Sequence, residues 1–354
     1  MKNWEENIRK VVPYVPGEQP KKQNIIKLNT NENPYPPAPG VAEAVKNVDI
    51  DRLRMYPDPL VTDLVEAIAS NYQVKNEQVF VGVGSDDVLA MIFMTFFHSK
   101  KPVLFPDITY SFYDVWADML RIPYEQIPLD EDFKIRPEDY SRENGGVIFP
   151  NPNAPTGELM DLAQIEEIIQ ANTDVIVVVD EAYIDFGGVS ALPLIDKYDN
   201  VIVVQTFSKS RSMAGSRIGF AISNPTLIKY LNDVKYSFNS YTMDTITIAA
   251  GTAAMRDLAY FEMTRDKIIQ TREWTKQELK RLGFVFGDSK SNFIFAMHPD
   301  VSGVALFEVL REHDIFVRHF SNPARINEYL RITIGTDEQM KTFIAFLEDY
   351  LNKN

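Results

Sequence analysis

The sequence predicts an α/β protein, with a large domain built on a mostly parallel sheet and a smaller α+β domain. Short apolar runs alternate with amphipathic helical patterns between about residues 41 and 235, which is typical of parallel strands joined by helical crossovers. Later residues are mainly helical, and a chain of 354 residues is too long for one small core. We therefore divide the chain into 1–40, 41–235 and 236–354.

The first segment is expected to be an N-terminal arm that belongs with the smaller domain. Residues 29–40 read NTNENPYPPAPG, which is too rich in proline for a helix or a central strand. Most such stretches are linkers, but the polar side chains also suit a loop that covers a substrate. The residues alone leave both interpretations open.

The large domain is predicted from short runs rich in Val, Ile and Phe, which are typical of strands buried on both faces. These runs are residues 79–83, 102–105, 147–149, 175–179 and 201–204. Before the fourth run, Leu162, Ile165, Ile168 and Ile169 share one face of a predicted helix. Strands that alternate with such helices form a mostly parallel sheet.

The smaller domain is predicted from a different pattern. Helical periodicity covers residues 227–234 and 263–282, and two predicted strands follow at 292–297 and 330–334. A last helix is expected over residues 337–351. This mixture indicates a separate α+β unit.

Composition excludes several classes of protein. Cysteine is absent, so disulfides, thiolate nucleophiles and sulfur-based zinc sites are excluded. None of the four histidines lies in an HExxH motif, and we expect no metal site. A net charge of -14 without a dense Lys/Arg run argues against nucleic acid. Residues 1–10 lack the apolar core of a signal peptide and no apolar run could cross a bilayer, so we expect a cytoplasmic protein without a membrane partner.

Polar residues follow several predicted strands, at the edge where open parallel sheets bind ligands. GSDD follows the first run, Thr109 and Tyr110 the second, NPNAPTG the third, DEAY the fourth and TFSK the fifth. Because the carboxyl ends of parallel strands meet at one edge, we expect these groups to lie together. This clustering is stronger evidence than any single motif.

The turn at Gly84 has two interpretations. Gly82-Val83-Gly84 lacks the third glycine of a dinucleotide fingerprint, because Asp87 takes its place. A turn into a helix N-terminus can hold a phosphate with its free N–H groups and the helix dipole. A plain strand–helix connection fits the residues equally well.

Asp180 and Lys209 are the candidate chemical groups. Asp180 ends an apolar run, where a carboxylate needs a cation; a protonated pyridine nitrogen would serve, although a helix cap or a magnesium ligand also fits. No GxxxxGK[ST] motif is present, which excludes a P-loop ATPase.

Most lysines are solvated surface charges, but a lysine at a desolvated strand end, such as Lys209, is an available nucleophile. Near Lys209, the residues Thr206, Ser208 and Arg217 suit a phosphate.

Seven motifs occur in a characteristic order. They are LNTNENPYPP (28–37), RMYPDP (54–59), GSDD (84–87), NPNAPTG (151–157), DEAYIDF (180–186), SKSRSMAGSRIGF (208–220) and LRITIGT (330–336). On these motifs, nearly the whole chain resembles the fold-type I pyridoxal-phosphate aminotransferases, and most closely the histidinol-phosphate aminotransferases. The resemblance implies an aspartate aminotransferase-like fold with a seven-stranded sheet, pyridoxal 5′-phosphate as cofactor, and a homodimer.

The resemblance also implies roles toward the cofactor. Lys209 would form the Schiff base and then move a proton, Asp180 would pair with the ring nitrogen, Tyr183 would donate to the phenolate oxygen, and Tyr110 would stack on the ring. The implied phosphate ligands are the turn at Gly84 with the N–H groups of Ser85 and Asp86, the side chains of Thr206, Ser208 and Arg217, and Tyr56 from the neighbouring subunit.

One position departs from the family pattern. The family usually has asparagine where this chain has Ala154, and that asparagine bonds to the phenolate oxygen. Either Asn153 takes over this contact, or Tyr183 holds the oxygen alone.

Arg331 and Arg318 are the candidate clamps for an anionic substrate, with Tyr14 and Asn31 bordering the same pocket; Arg318 could equally be a surface arginine. The leading hypothesis is transamination of L-histidinol phosphate with 2-oxoglutarate, giving imidazole acetol phosphate and glutamate in histidine biosynthesis. Alternatives are an aromatic amino-acid aminotransferase, a threonine-phosphate decarboxylase, and a non-catalytic phosphate-binding protein.

Overall fold

The structure is a computed structural model that describes residues 3–15, 17–22 and 24–353. Within these residues two sheets are formed. The strands are β1 (Ile26–Leu28), β2 (Val79–Gly82), β3 (Val103–Pro106), β4 (Tyr124–Ile127), β5 (Gly146–Pro150), β6 (Val177–Asp180), β7 (Val201–Thr206), β8 (Gly219–Ser223), β9 (Val285–Phe286), β10 (Phe293–Met297), β11 (Ile315–His319) and β12 (Leu330–Thr333).

Ten α-helices accompany these strands in the described part of the chain. They are α1 (Pro39–Lys46), α2 (Thr62–Tyr72), α3 (Ser85–Phe96), α4 (Tyr113–Leu120), α5 (Leu162–Ala171), α6 (Pro225–Phe238), α7 (Thr245–Arg256), α8 (Leu258–Arg281), α9 (Gly303–Glu312) and α10 (Asp337–Leu351). Local chemistry sets several starts. Asn224 and Asp244 accept hydrogen bonds from the first turns of α6 and α7, and Thr336 forms a capping box with Gln339 at α10.

The larger sheet has seven strands in the order β2-β8-β7-β6-β5-β3-β4. β8 is antiparallel to both β2 and β7, and the other pairs are parallel. The predicted fold class is confirmed, and the five predicted runs correspond to β2, β3, β5, β6 and β7. The strands β4 and β8 did not stand out in the sequence. Parallel strands point their carboxyl ends the same way, which creates the edge where the site lies.

The smaller sheet has the order β1-β11-β12-β10-β9. Its β10 and β12 match the two predicted strands, while β1, β9 and β11 were not predicted. β1 pairs parallel with β11. The N-terminal segment thereby contributes a strand to the smaller sheet and continues directly into the LNTNENPYPP motif.

Separate apolar cores support the two sheets. The core on one face of the larger sheet includes Met243, Ile248 and Met255, in and beside α7. These residues lie beyond the boundary expected at residue 235. We therefore propose that the large domain extends to the start of α8, whose Ile268 and Leu279 belong to the core of the smaller sheet.

None of the helices in the described ranges is both long and apolar enough to cross a membrane.

Candidate active site

Two adjoining cavities lie at the carboxyl edge of the larger sheet, with volumes of about 610 and 950 Å³ including space open to solvent. Predicted residues that line the narrower cavity are Ser85, Asp86, Tyr110, Asp180, Tyr183, Ser208, Lys209 and Arg217. The wider cavity adds Tyr14, Asn31, Arg318 and Arg331. Twelve of the predicted site residues therefore meet in one region.

The turn between β2 and α3 forms one end of the narrower cavity. Gly84 has φ +87°, and a Cβ there would lie 2.4 Å from Arg217 Nη2. A Cβ on Gly219 would lie 2.2 Å from the backbone nitrogen of Ser85. Both glycines are therefore needed to bring the Arg217 guanidinium and the helix N-terminus to one place, where together they attract an anion such as phosphate.

Arg217 is already held by an acidic partner at this end. Its Nη2 donates to Asp86 Oδ2 at 2.8 Å, and Tyr110 Oη donates to Asp86 Oδ1 at 2.5 Å. Burial and the nearby Asp86 carboxylate raise the pKa of Tyr110. Tyr110 therefore remains a neutral donor, and its ring stands as a wall shared by both cavities.

Asp180 ends β6 as a buried carboxylate, only 4% exposed. Its Oδ2 accepts from Tyr113 Oη at 2.8 Å, and its Oδ1 accepts from the backbone nitrogen of Ala182 at 3.2 Å. Burial raises the pKa of Asp180 to about 6, while these hydrogen bonds oppose the rise. None of the ion pairs among the described residues includes Asp180. A cation in the narrower cavity would therefore be strongly stabilised by it.

Tyr113 was not predicted as a site residue. It is completely buried at the start of α4, and its hydroxyl is the side-chain donor to Asp180. The one sequence feature that could have indicated it is its spacing, three residues after Tyr110.

Lys209 stands between the two cavities, three residues after β7. Its Nζ lies 3.4 Å from the carbonyl oxygen of Thr30 and 5.7 Å from the ring centre of Tyr183. Asn33 Nδ2 donates to the backbone oxygens of Lys209 and Ser210 at 3.0 and 3.2 Å. The N-terminal motif thus fixes the backbone that carries this amine, a role of Asn33 that was not predicted.

Arg318 and Arg331 stand side by side in the β11–β12 register and line the wider cavity. Arg331 Nη2 donates to the backbone oxygen of Asn29 at 3.1 Å, whereas its Nε is buried without a hydrogen-bond partner. Burial and the neighbouring Arg318 lower the pKa of Arg331. Within the described ranges no carboxylate pairs with either guanidinium, so the pair offers unused donors to an anion.

Aromatic rings also line the wider cavity. Tyr14 stacks on Phe112 with 4.2 Å between ring centres, and Phe320 lies on the side of the arginines. Aromatic surfaces of this kind suit contact with a flat ring.

Asn153 lines neither of these cavities. Its Nδ2 donates to the Ile108 oxygen at 2.9 Å and to Thr156 Oγ1 at 3.1 Å, and its Oδ1 accepts from Thr109 Oγ1 at 3.0 Å. These bonds tie the loop after β5 to the loop after β3 and use the Asn153 amide away from both cavities, so the structure gives no support to the predicted cofactor contact. Ala154 lines both cavities in its place.

Three further predicted residues lie outside the cavity walls. Thr206 Oγ1 accepts from the Ser208 backbone nitrogen at 3.1 Å and contacts Ser208 Oγ at 3.0 Å, so it positions Ser208 from behind. Gly84 shapes the turn, as described above. Tyr56 is 81% exposed and stacks on Tyr241, away from both cavities of its own chain.

Comparisons with known proteins identify the family. Residues 23–347 match the family described as aminotransferase class I and II. Similar curated proteins are the histidinol-phosphate aminotransferases of Lactococcus lactis subsp. cremoris (strain MG1363), 51% identical over 99% of this chain and 98% of the relative, and of Clostridium acetobutylicum, 52% identical over 98% and 99%.

Solved structures share the fold. Histidinol-phosphate aminotransferase from Sinorhizobium meliloti, in complex with pyridoxal-5′-phosphate, superposes with a TM-score of 0.84 at 24% identity, covering 93% of this chain and 91% of that one. The enzyme from Clostridium acetobutylicum gives 0.86 at 22% identity, covering 93% and 100%. At these identities the likeness speaks for the fold alone.

Proposed function

This chain belongs to the aminotransferase class I and II family, and we propose that it transfers the amino group of L-histidinol phosphate to 2-oxoglutarate. The products would be imidazole acetol phosphate and glutamate, in a step of histidine biosynthesis. The observation that carries the choice of substrate is the Arg318–Arg331 pair, which has no acidic partner among the described residues and faces the same cavity as Lys209.

The residues present fit pyridoxal phosphate, the cofactor of this family. When bound, it supplies an aldehyde carbon for the amino group and a cationic ring that draws electrons from the substrate's Cα–H bond. The backbone N–H groups of Ser85 and Asp86, with Ser208 and Arg217, would hold the phosphate. Asp180 is the buried anion for the ring nitrogen, and Tyr113 keeps that carboxylate charged by donating to it.

The chain's own chemistry centres on Lys209. It is the amine that lines both cavities, so it would hold the cofactor covalently and, once released by the substrate, take and return the Cα proton. Tyr110 lines both cavities beside this amine. Tyr183, 8% exposed, directs its hydroxyl toward the same space.

The substrate's charge matches the arginine pair. A phosphate monoester carries about two negative charges at neutral pH, and two adjacent guanidinium groups supply matching donors in a fork geometry. The imidazole ring would lie against the Tyr14–Phe112 stack. In the second half of the reaction, the distal carboxylate of 2-oxoglutarate would bind to the same two arginines.

We also propose a homodimer in the cytoplasm. Tyr56, Leu60, Phe238 and Tyr241 are exposed apolar side chains, and the two segments that carry them touch where Tyr56 stacks on Tyr241. Such a patch is typical of a surface that another subunit covers. Tyr56 would then reach the cofactor phosphate of the neighbouring subunit.

The test is a comparison of amino donors on the purified, cofactor-loaded protein. Glutamate formation from 2-oxoglutarate is measured with histidinol phosphate, phenylalanine and threonine phosphate, with Lys209→Ala as the inactive control. We expect histidinol phosphate to give the highest kcat/KM. Preference for phenylalanine would indicate an aromatic aminotransferase, and carbon dioxide release from threonine phosphate without an oxo acid would indicate a decarboxylase. A protein that takes up no cofactor and gives no product would indicate a phosphate-binding protein.

A further inference from the structure

The hydroxyl of Tyr183 belongs to a hydrogen-bonded chain that joins the smaller sheet to the larger one. Asn31, three residues after β1, donates from Nδ2 to Tyr183 Oη at 2.9 Å. Thr333, at the end of β12, donates from Oγ1 to Asn31 Oδ1 at 3.0 Å. Asn31 is 1% and Thr333 2% exposed, so water does not replace these bonds.

The backbone of Asn31 is held as firmly as its side chain. Its N–H donates to Thr333 Oγ1 at 3.0 Å, and its carbonyl oxygen accepts from Asn292 Nδ2 at 3.0 Å. Its φ of +55° is a left-handed conformation that asparagine adopts more readily than most residues. This position is therefore built to hold the side-chain amide in one place.

Thr333 holds the amide in the orientation that the structure shows. A hydroxyl has a single hydrogen to donate, and the Thr333 hydroxyl uses it on Asn31 Oδ1 while accepting the Asn31 N–H. The amide nitrogen is then left facing Tyr183. Because Tyr183 accepts this bond, its own hydrogen remains available for the narrower cavity that it lines. With the amide reversed, Asn31 Oδ1 would capture that hydrogen instead.

The neighbouring wall offers no substitute donor. Ala154 lines both cavities and packs in the same apolar cluster as Tyr183, yet its side chain has no polar atom. The Asn153 amide donates to the Ile108 oxygen and to Thr156 Oγ1 instead. The donation made on this side of the cavity therefore depends on Tyr183.

We propose that Asn31 is a positioning residue: held by Thr333, it orients the Tyr183 hydroxyl as a donor to the ring oxygen of bound pyridoxal phosphate and so sets the acidity of the link between the cofactor and Lys209. This inference rests on the proposed placement of the cofactor but not on the choice of substrate. It adds a positioning role to the substrate contact that the sequence predicts for Asn31.

The direction of the effect follows from charge. A donor to the ring oxygen favours the state in which that oxygen carries its full negative charge, which is the state whose link to Lys209 has lost its proton. Loss of the donor therefore raises the pKa of the link. A hydrogen bond of ordinary strength to a charged oxygen corresponds to a shift of about one pH unit.

The experiment is a pH titration of the absorbance of the cofactor-loaded protein, with no substrate present. Asn31→Gly removes the amide but accepts the left-handed backbone, and Thr333→Val removes the orienting hydroxyl at similar shape. Both should raise the pKa of the link by about one unit. Asn31→Asp should raise it further, because a carboxylate takes the Tyr183 hydrogen and adds negative charge. Thr333→Ser keeps the hydroxyl and should leave the pKa unchanged.

A double-mutant comparison separates positioning from other effects. Tyr183→Phe alone should raise the pKa, and adding Asn31→Gly should then cause no further change. An equal shift from Asn31→Gly in both backgrounds would overturn the proposal. So would unchanged pKa values in Asn31→Gly and Thr333→Val with only a raised KM for the amino donor. Rejection of histidinol phosphate as substrate leaves the titration result standing, since no substrate is used.

Discussion

Replacing Tyr113 with phenylalanine removes a single hydroxyl from the surroundings of Asp180 and tests how that carboxylate is kept charged. Tyr113 Oη donates to Asp180 Oδ2 at 2.8 Å, and both side chains are buried. Burial raises the pKa of Asp180 from 3.8 to about 6 despite this bond. Without the bond, the pKa of Asp180 should rise further.

The magnitude can be worked out for the cofactor-free protein. A rise of about two pH units, at about 1.4 kcal/mol per unit, destabilises the folded state by about 3 kcal/mol. Because the folded pKa lies above the unfolded one, this penalty is absent below about pH 4, grows as the pH rises, and is complete above about pH 6. A hydrogen bond to a charged group contributes about 1.5–3 kcal/mol. Tyr113→Phe should therefore lower the free energy of unfolding by about 1.5–3 kcal/mol at pH 8, where Asp180 is charged. At pH 4, where Asp180 is neutral, the loss should be about 1 kcal/mol or less.

Urea unfolding of the cofactor-free protein at these two pH values measures the difference. Tyr140→Phe is the matched control, because Tyr140 is also buried but its hydroxyl has no hydrogen-bond partner in the described part of the chain. Its free energy of unfolding should match that of the unchanged protein at both pH values. Other titrating groups, such as Glu181, whose pKa burial raises to about 7, are common to all three proteins and cancel. An equal loss for Tyr113→Phe at both pH values, or none at pH 8, would refute the reasoning.

Three further substitutions test other parts of the site. Gly84→Ala should lower stability by about 1–3 kcal/mol and weaken cofactor binding, because its Cβ would lie 2.4 Å from Arg217 Nη2; Gly215→Ala, with nothing within 4 Å, is the control in thermal melting and cofactor titration. Arg331→Gln should raise the KM for histidinol phosphate about tenfold or more through loss of charged hydrogen bonds, and an unchanged KM in steady-state kinetics would contradict the proposed clamp. Asn153→Ala should lower the free energy of unfolding in urea by about 1–3 kcal/mol without changing cofactor affinity, and a large loss of affinity would return Asn153 to the site.

The fold was predictable where burial and sequence pattern agree. β5, β6 and β7 are buried at every position, so their apolar runs are unbroken. β4 reads YEQI at the sheet edge and buries only Ile127, which leaves no apolar run to recognise. β8 reads GFAIS, where small residues allow close packing against the α3 turn but dilute the strand pattern.

The candidate site was predictable where it follows strand ends, as for Asp180 and Lys209. Its supporting contacts were not, because they join segments far apart in the chain: Thr333 and Asn31 are separated by 302 positions, and Tyr113 meets Asp180 across 67. Such pairings depend on how distant segments pack against each other, which periodicity does not encode. The same limit explains Asn153, since a backbone turn decides whether a loop amide faces the cavity.

The most direct test of the central claim is a half-reaction followed by absorbance. The cofactor-loaded protein is mixed with one equivalent of L-histidinol phosphate in the absence of any oxo acid. Transamination predicts loss of the yellow colour in proportion to the donor added, and its return when 2-oxoglutarate is supplied, as a ping-pong reaction requires. Colour that does not respond to histidinol phosphate, while it responds to another amino donor, would contradict the proposed function.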